Sequence, residues 1–594
     1  MIRGYRRLGL YALLAAAVLP YFIDLNGSAI WDANEAFYVE TPREMIERGD
    51  FVSPTFNYLP RLNKPVLSYW IVAAFYKLFG VSVAVQRLPI ALGAVTLIGI
   101  AFLLARAGAD PPAQPGARHG ATESAIWAAA GLAVAPRLVM FGRRIFIDIY
   151  ISMFMALTLL FFALAERYPG KRRLFLVLMY VSVGLGVLTK GPVAAALPAL
   201  VFAVYLIVHR ELGRVRRMMI PAGILIVLAI TVPWYAALYH RYGWTYITSF
   251  FVGENIARYT EGIGVETRRG PSFYIPVVFS DSFPWSLCLF GAAGLWIADW
   301  RGRRGASLSS APADATTAAS LAFRVRSLLW LWVLVTVGFF TFSAAKQDLY
   351  IFPIVPAVAA IGGLFIARQA ADGRPQRPRS LRVTAGAIGL LLSLAGAGTL
   401  YIFHTAGKVY ALDAAAFVGA AAAAGGAIAF ALAAVNRARA ALAVVLLSLV
   451  TLNWAFIVRV LPSFERYKPV PPLSATIRER IHEGDVVSHY NVALPSMVYY
   501  LGRHIEILFD QDKFLTLLRG HQRVFAVLPA SDYADLQPVA GVRTCVLDRR
   551  PTVNIKLKAV LAREPLPEVL LITNRCGDGE SEARGENAES SPQR

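Results

Sequence analysis

Cysteine and charged residues are both scarce in this chain. Only 3 of its 594 residues are cysteine, and they form no CxxC pair and no Cys/His cluster of the kind that binds metal. Charged residues make up 16% of the chain and hydrophobic residues 57%, so a water-soluble fold would expose too much apolar surface. These shortages exclude a disulfide-rich scaffold and a soluble globular enzyme, and they predict a polytopic membrane protein.

Apolar runs long enough to cross a bilayer as helices recur through the first 460 residues. A shorter apolar stretch at 66–79 contains Ser68, Tyr69 and Lys77, and we expect it to lie along the membrane surface. We predict thirteen spans, at 8–25, 83–105, 123–141, 149–165, 174–189, 192–208, 218–238, 273–299, 326–343, 350–367, 383–403, 412–435 and 440–460.

The distribution of lysine and arginine predicts the orientation. Most basic residues fall in loops that share one side when the N-terminus is cytoplasmic, and an odd number of spans then places the C-terminal region outside. The basic start resembles a signal peptide, but no small-x-small cleavage site follows, so we interpret it as a retained first span. The same bias accounts for the net charge of +21, and nucleic-acid binding is therefore not expected.

The composition changes after residue 461. Alternating stretches such as GDVVSHY, RVFAVLPA and VRTCVLD read as strands separated by helical pieces. We therefore predict a mainly α protein: a membrane helical bundle at 1–460, whose first outer loop at 26–82 forms interfacial helices, followed by a small α/β periplasmic domain at 461–576. The polar tail at 577–594 is expected to be disordered. Cys545 and Cys576 could pair in an oxidising compartment, but two cysteines alone do not decide this.

The first outer loop combines acids with aromatic residues. Asp32 and Glu35 are three residues apart, a spacing that fits a helix N-cap closed by a glutamate. The alternative is functional: a carboxylate at the aqueous edge of the bilayer, whose pKa rises on partial burial, can take a proton from a hydroxyl. Thr41, Pro42 and Glu44 also carry the signature of a helix start.

Three further polar clusters fall on the same predicted face. Asp148 follows two arginines in GRRIFIDIY, where a structural ion pair is the alternative interpretation. Lys190 lies in LTKGP, where it could simply extend to the membrane surface. SAAKQDLYIFP supplies Lys346 and Tyr350 at an outer helix end. Acids and lysines from separate loops thus meet at one interface, which predicts a site for an anionic lipid headgroup.

Several motifs carry a family resemblance. NEAFYVETPREM, GDFVSPTFN, NKPVLSYW, LTKGP, PWY, GPSFYIPV and FPW occur in order through nearly all of the membrane part. In these motifs the chain resembles the bacterial family 39 and family 83 glycosyltransferases of the GT-C superfamily, relatives of aminoarabinose transferase and protein O-mannosyltransferase. The C-terminal region adds little to the resemblance.

The resemblance implies an enzyme of the bacterial inner membrane that moves a sugar from a polyprenyl phosphate carrier to an acceptor hydroxyl on the periplasmic side, with inversion. The acceptor could be lipid A, another glycolipid, a polysaccharide or a protein. The reaction needs a base for the acceptor and cations for the departing phosphate. Lys64 matches the family lysine of the KP motif, Asp148 the second family acid, and Tyr350 a tyrosine that orients the acid. Lys190, Lys346 and Arg258 are further phosphate candidates.

The chain also departs from the family pattern. The usual D-E-x-x-Y motif has Asn34 in place of the aspartate, and an amide cannot accept a proton, so either Asp32 or Glu35 must act as the base; we prefer Asp32. Asn63 stands where a relative has glutamate, and Glu254 where a histidine is expected, so the sequence does not support the metal site found in some relatives. We therefore expect no required cofactor.

Two other functions would share this composition. A lipid or solute transporter would have a similar number of spans and a basic inner face, although transporters tend to show a repeated half. A noncatalytic envelope scaffold could bind a partner through its α/β domain, with Asn34 marking lost activity. Single substitutions of Asp32, Glu35 and Asp148 separate a scaffold from an enzyme. The motifs define neither the sugar nor the acceptor.

Overall fold

The computed structural model describes residues 2–32, 34–111, 119–144, 146–262, 269–305, 313–369, 379–406, 410–553 and 557–576. The tail predicted at 577–594 lies outside these residues. The helices before the C-terminal sheet are α1 (Ile2–Val18), α2 (Asn34–Arg48), α3 (Leu67–Phe79), α4 (Val83–Gly108), α5 (His119–Ala133), α6 (Pro136–Gly142), α7 (Ile147–Arg167), α8 (Arg172–Lys190), α9 (Val193–Val208), α10 (Ile220–Ile247), α11 (Arg258–Thr260), α12 (Tyr274–Asp281), α13 (Cys288–Gly305), α14 (Ala313–Thr341), α15 (Val355–Gln369), α16 (Arg379–Leu400), α17 (Ala415–Ala434) and α18 (Ala438–Ala455).

The predicted fold class is confirmed, but the count of thirteen spans is not. In the described ranges, nine helical segments are long and apolar enough to cross a membrane, or ten if the bent pair Gly120–Ala133 and Pro136–Gly142 forms one span. The pair bends by 63°. Its second helix begins at Pro136, which has no N–H to donate and therefore interrupts the helical ladder. The chain is a multi-pass membrane protein.

Three predicted spans correspond to shorter or divided helices. The span at 8–25 overlaps α1 and the 3-10 turn that continues it to Tyr21, and the span at 192–208 matches α9, which has 16 residues. The span at 273–299 is divided between α12 and α13, because the chain leaves the helix around Pro284 and a short turn follows. The structure is helical over most of each of these segments, but none of them counts as a single long apolar helix among the described residues.

Small residues allow the membrane helices to pack closely. A Cβ on Gly396 would lie 2.2 Å from the backbone nitrogen of Ala423, and one on Gly426 would lie 2.3 Å from that of Ser393. Helices α16 and α17 therefore pack backbone against backbone, as membrane helices do where dispersion replaces the hydrophobic effect. Helix α15 lies at the centre of the bundle, where nearly all of its side chains are buried.

The loop at 26–82, predicted to be the first outer loop and named so below, folds as two helices joined by a small hairpin. Helix α2 runs straight through Pro42, so the helix start predicted at Thr41 does not exist. Glu44 instead accepts a hydrogen bond from Thr55 Oγ1 (2.5 Å) in strand β1 (Thr55–Phe56), which pairs with β2 (Leu59–Pro60). Glu44 therefore bonds to the hairpin and does not close a capping box. Helix α3 covers the stretch predicted to lie along the membrane surface.

The C-terminal region contains a five-stranded mixed sheet of order β4-β3-β5-β7-β6. Strand β3 pairs in parallel with β4 and β5, whereas β7 is antiparallel to β5 and β6, and apolar clusters pack on both faces. Cys545 and Cys576 form a disulfide with Cα atoms 5.7 Å apart. The elements are α19 (Leu461–Ser463), α20 (Val470–Arg480), β3 (Val486–Tyr490), α21 (Ser496–Leu501), β4 (Glu506–Leu508), α22 (Gln511–Arg519), β5 (Val524–Pro529), α23 (Ala530–Leu536), β6 (Cys545–Pro551), α24 (Leu557–Ala562) and β7 (Glu568–Thr573).

The sheet region packs on the first outer loop through paired hydrogen bonds. Asn57 and Tyr58 form the turn of the β1–β2 hairpin, both with positive φ. The Asn57 amide donates to Ile505 O and accepts from Ile505 N, both at 2.8 Å. Tyr58 also donates its hydroxyl hydrogen to Gly502 O (3.0 Å). The predicted domain limit at 460 remains a prediction, since a continuous helical segment runs over Ala438–Tyr467.

Candidate functional site

Three cationic side chains, one from the first outer loop and two from distant segments, lie near one another. Lys64 follows the hairpin, Lys190 ends α8, and Arg258 begins α11 after a π-helical segment, Thr248–Ala257. Lys64 Nζ lies 3.2 Å from Glu254 Oε2, and Arg258 Nη1 lies 3.1 Å from the same oxygen. We call Lys64, Lys190, Arg258 and Glu254, together with Asp148, the cationic cluster.

Asp148 is held by Lys190. Its buried carboxylate, in the first turn of α7, forms an ion pair with Lys190 Nζ, and this nitrogen lies 5.8 Å from the centre of the Tyr350 ring. The predicted sites at Asp148, Lys190 and Tyr350 therefore adjoin one another. Asp148 thus forms an ion pair, but with Lys190 and not with the two arginines that precede it. The ring of Tyr350 lies beside that lysine.

The electrostatics of the cationic cluster favour an anion. Burial lowers the pKa of Lys64 from its ordinary value, and the positive charges of Lys190 and Arg258 lower it further, while Glu254 acts in the opposite direction. An arriving anion would relieve this repulsion. Two buried polar atoms, Arg258 Nε and Asn63 Oδ1, have no partner among the described residues, so hydrogen-bonding capacity remains beside the cluster.

Lys346 lies apart from the cationic cluster. It is buried and donates from Nζ to the carbonyl of Ser343 (2.6 Å), within its own loop. Across the described segments it forms no ion pair with a carboxylate and no contact with the cationic cluster. Of the predicted phosphate ligands, the structure brings together Lys64, Lys190 and Arg258, and leaves Lys346 apart.

Glu35 lies at the start of α2, and Arg87 is its main partner. Its carboxylate, 1% exposed, accepts hydrogen bonds from Arg87 Nε (2.7 Å) and Nη2 (2.9 Å), and also from the backbone N–H of Trp31 (2.9 Å). Burial would raise the pKa of Glu35, but the charge and hydrogen bonds of Arg87 outweigh burial and lower it. Glu35 thus remains ionised with its oxygens occupied.

Asp32 has a different environment. The residue is exposed at the protein surface. One of its carboxylate oxygens accepts a hydrogen bond from the backbone N–H of Ser496 (2.7 Å) at the start of α21. Crowding by surrounding protein atoms desolvates the carboxylate and raises the pKa of Asp32 to about 6, although the Ser496 hydrogen bonds and Lys468 favour the charged form. The cap predicted at Asp32 is therefore made to a different helix, α21.

Trp31 lies between two cations. Arg144 is 3.8 Å and Lys468 4.1 Å from the centre of its indole ring. Lys468 is also bound by Glu465 (2.8 Å), whereas the guanidinium of Arg144 has no hydrogen-bond partner in the described part of the chain. Burial and the charge of Arg87 lower the pKa of Arg144 to about 10.

Helix α2 connects the residues around Glu35 with the cationic cluster. Glu35 and Tyr38 lie three residues apart on one face of this helix, and the Tyr38 hydroxyl is within electrostatic reach of both Asp148 and Glu254. Sequence reasoning missed Arg87, Lys468 and Ser496, because the site residues that they contact lie far away along the chain. Arg144 was visible in the sequence only as one of the two arginines in GRRIFIDIY.

The residues around Lys64 do not fit a metal site. The carboxylate of Glu254 is shared between Lys64 and Arg258, and Asn63 offers an amide oxygen as the neighbouring group. Over the ranges that the structure describes, no group of three or more His, Cys, Asp or Glu side chains has an arrangement that could hold a metal ion. We assign no step of the reaction to a metal.

The chain has the fold of ArnT from Cupriavidus metallidurans. The chain superposes on ArnT from Cupriavidus metallidurans in the apo state with a TM-score of 0.72 and 22% identity, covering 96% of this chain and 98% of that one. Against the same protein bound to undecaprenyl phosphate the TM-score is 0.73 at 21% identity, covering 98% and 100% of the two chains. The resemblance predicted from the motifs is confirmed.

In sequence, the chain resembles aminoarabinose transferases. A family model described as dolichyl-phosphate-mannose-protein mannosyltransferase matches residues 63–236. Two undecaprenyl phosphate-alpha-4-amino-4-deoxy-L-arabinose arabinosyl transferases of Pseudomonas fluorescens are similar: one from strain Pf0-1 at 27% identity over 59% of this chain, and one from strain Pf-5 at 28% over 68%. The chain spans 56% and 63% of the length of these relatives.

Proposed function

We propose that this chain transfers a sugar from a polyprenyl phosphate carrier to an envelope acceptor on the periplasmic side of the bacterial inner membrane. The observation that carries the proposal is that Lys64 and Arg258 share one carboxylate oxygen of Glu254, with Lys190 within electrostatic reach of Lys64. These residues come from three segments of the chain, and the relatives named above are transferases whose names specify an undecaprenyl phosphate donor.

Lys64 and Arg258 would hold the donor phosphate. Both are partly exposed, so an anion can reach them, and both already share a single carboxylate oxygen as they would share a phosphate oxygen. As the bond between sugar and phosphate breaks, the phosphate gains negative charge, which fixed cations stabilise most strongly in a site that excludes water. Lys190 adds charge nearby while keeping Asp148 in place.

Asp32 would accept the proton of the acceptor hydroxyl. A base works best when its pKa lies near the working pH, and the raised pKa of Asp32, about 6, meets this condition. Glu35 would instead anchor the loop, because Arg87 and Trp31 occupy its oxygens. Asp148, paired with Lys190, would position the donor sugar or the acceptor for inversion at the anomeric carbon.

The disulfide supports the proposed topology. Disulfides persist in oxidising compartments such as the periplasm, and Cys545 pairs with Cys576 in the sheet region. This region packs on the first outer loop through Asn57 and Tyr58, so both belong on the same side of the membrane. The arrangement agrees with a cytoplasmic N-terminus.

The decisive experiment compares envelope glycolipids and glycoproteins by mass analysis in cells with and without this chain. A sugar that disappears with the chain identifies donor and acceptor together. Cells that produce Lys64→Gln should lack the same modification, whereas Glu261→Gln, an exposed position near the cluster, should retain it. If the chain were a transporter or a scaffold, membranes of the Lys64→Gln strain would transfer as much sugar in vitro as wild-type membranes do. That result would refute the proposal.

A further inference from the structure

Glu254 occupies the position where the donor phosphate is proposed to bind. One of its carboxylate oxygens lies 3.2 Å from Lys64 Nζ and 3.1 Å from Arg258 Nη1, so one internal anion bridges the two cations. A donor phosphate that contacts both cations must either displace this carboxylate or bind beside its negative charge. Glu254 therefore competes with the ligand that its neighbours would bind.

The charges of the cationic cluster can be counted. Lys190 and Asp148 neutralise each other, while Lys64 and Arg258 contribute two positive charges against one negative charge from Glu254. The excess is a single positive charge. A sugar phosphodiester carries one negative charge, whereas the polyprenyl phosphate left after transfer is a monoester and carries nearly two at pH 8.

We propose that Glu254 makes the site selective for the charge of its lipid phosphate, so that the singly charged donor diester is accepted and the doubly charged product monoester is released. This proposal rests on the function proposed above, because it assumes that Lys64 and Arg258 hold the phosphate. Each additional unit of ligand charge near a partly exposed carboxylate weakens binding by about tenfold.

The local backbone is consistent with a carboxylate that can move aside. Glu254 lies within the π-helical segment Thr248–Ala257, and such segments are uncommon and recur at functional sites. Its side chain is 30% exposed, so solvent can receive it. Arg258 Nε, buried and without a partner among the described residues, could then donate to the incoming phosphate.

The test measures the binding of two short probes, farnesyl phosphate and its methyl diester, to the purified full chain in detergent at pH 8. With Glu254→Gln, the diester should bind about tenfold more tightly and the monoester about a hundredfold, which shifts the ratio of affinities about tenfold towards the monoester. Glu254→Asp, which keeps the charge, should retain a ratio close to that of the wild type. Glu261→Gln is the matched control for charge removed nearby, and its ratio should stay within twofold of the wild type.

Three outcomes would overturn the inference. A Glu254→Gln ratio within twofold of the wild type, with Lys64→Gln still weakening both probes, rejects the role of Glu254 and leaves the proposed function intact. Equal weakening of both probes by Glu254→Gln, together with a lower melting temperature, assigns the ion pair a purely structural role. If Lys64→Gln and Arg258→Gln both bind the two probes like the wild type, the phosphate site itself is wrong.

Discussion

Replacing Glu35 with glutamine should destabilise the protein before it affects any chemistry. The substitution keeps the shape of the side chain but removes its charge, which leaves the guanidinium of Arg87, 3% exposed, buried without a counter-ion. Breaking a buried pair from one side costs about 3 to 5 kcal/mol. Arg87 still donates to the carbonyls of Leu25 (2.8 Å) and Ser28 (2.7 Å), so we expect the lower end of that range.

This cost translates into a measurable shift. At about 2.1 cal/mol/K per residue, unfolding the 594-residue chain carries an entropy of about 1.2 kcal/mol/K, so a loss of about 3 kcal/mol lowers the melting temperature by about 2 to 3 °C. Thermal unfolding of the purified protein in detergent measures it. Glu47→Gln is the control, since Glu47 lies on the same helix, pairs with Arg43 and is half exposed, and its loss should cost under about 1 kcal/mol.

The pH dependence has a definite sign. Arg87 holds the pKa of Glu35 below its ordinary value of 4.5, so the stabilisation is complete above that value and is lost as the pH falls through the lowered pKa. The gap in stability between the wild type and Glu35→Gln should therefore close in acid. If Glu35→Gln melts like the wild type at pH 7 yet has no turnover, Glu35 is the base and the anchoring role is wrong.

The remaining predictions concern the other residues of the site. Activity should fall about tenfold per pH unit below about pH 6 and level off above it, because Asp32 must be ionised to act as a base, and Asp32→Asn should lose activity at every pH without a change in melting temperature. Lys346→Gln should change the binding of a polyprenyl phosphate far less than Lys64→Gln does, as titration in detergent would reveal; equal losses would place Lys346 in the phosphate site. Asn57→Ala should expose the hairpin to added protease while the sheet region stays folded, and an unchanged digestion pattern would contradict the docking described above.

The sequence predicted the membrane class and pointed to most residues of the candidate site, because both depend on local patterns. Apolar runs identified the helices, and the KP and LTKGP motifs singled out Lys64 and Lys190. The Asp148–Lys190 pair could be suspected from the short loops that carry these residues, since each ends at the same predicted face.

What the sequence could not supply was the partner of each charge. Glu35 and Asp32 look equivalent in the string WDANEAFY, yet one is locked by an arginine 52 residues away and the other binds a backbone N–H 464 residues away. Thr41 and Pro42 carry a helix-start signature that contacts of Glu44 with the hairpin override. Hydropathy also could not show the bend at Pro136 or the break around Pro284, each of which interrupts a predicted span.

The contact of the hairpin and the Trp31 segment with the sheet region has a consequence for how the protein is made. The backbone N–H of Ile30 donates to Tyr500 Oη, 470 residues later in the chain. At about 5 to 20 residues per second, a ribosome needs on the order of 20 to 90 s to synthesise that distance. Under the proposed topology, the loop would cross the bilayer early in this interval and remain uncovered until the sheet region follows. Periplasmic chaperones and proteases would then reach the proposed site before any lipid substrate could bind there.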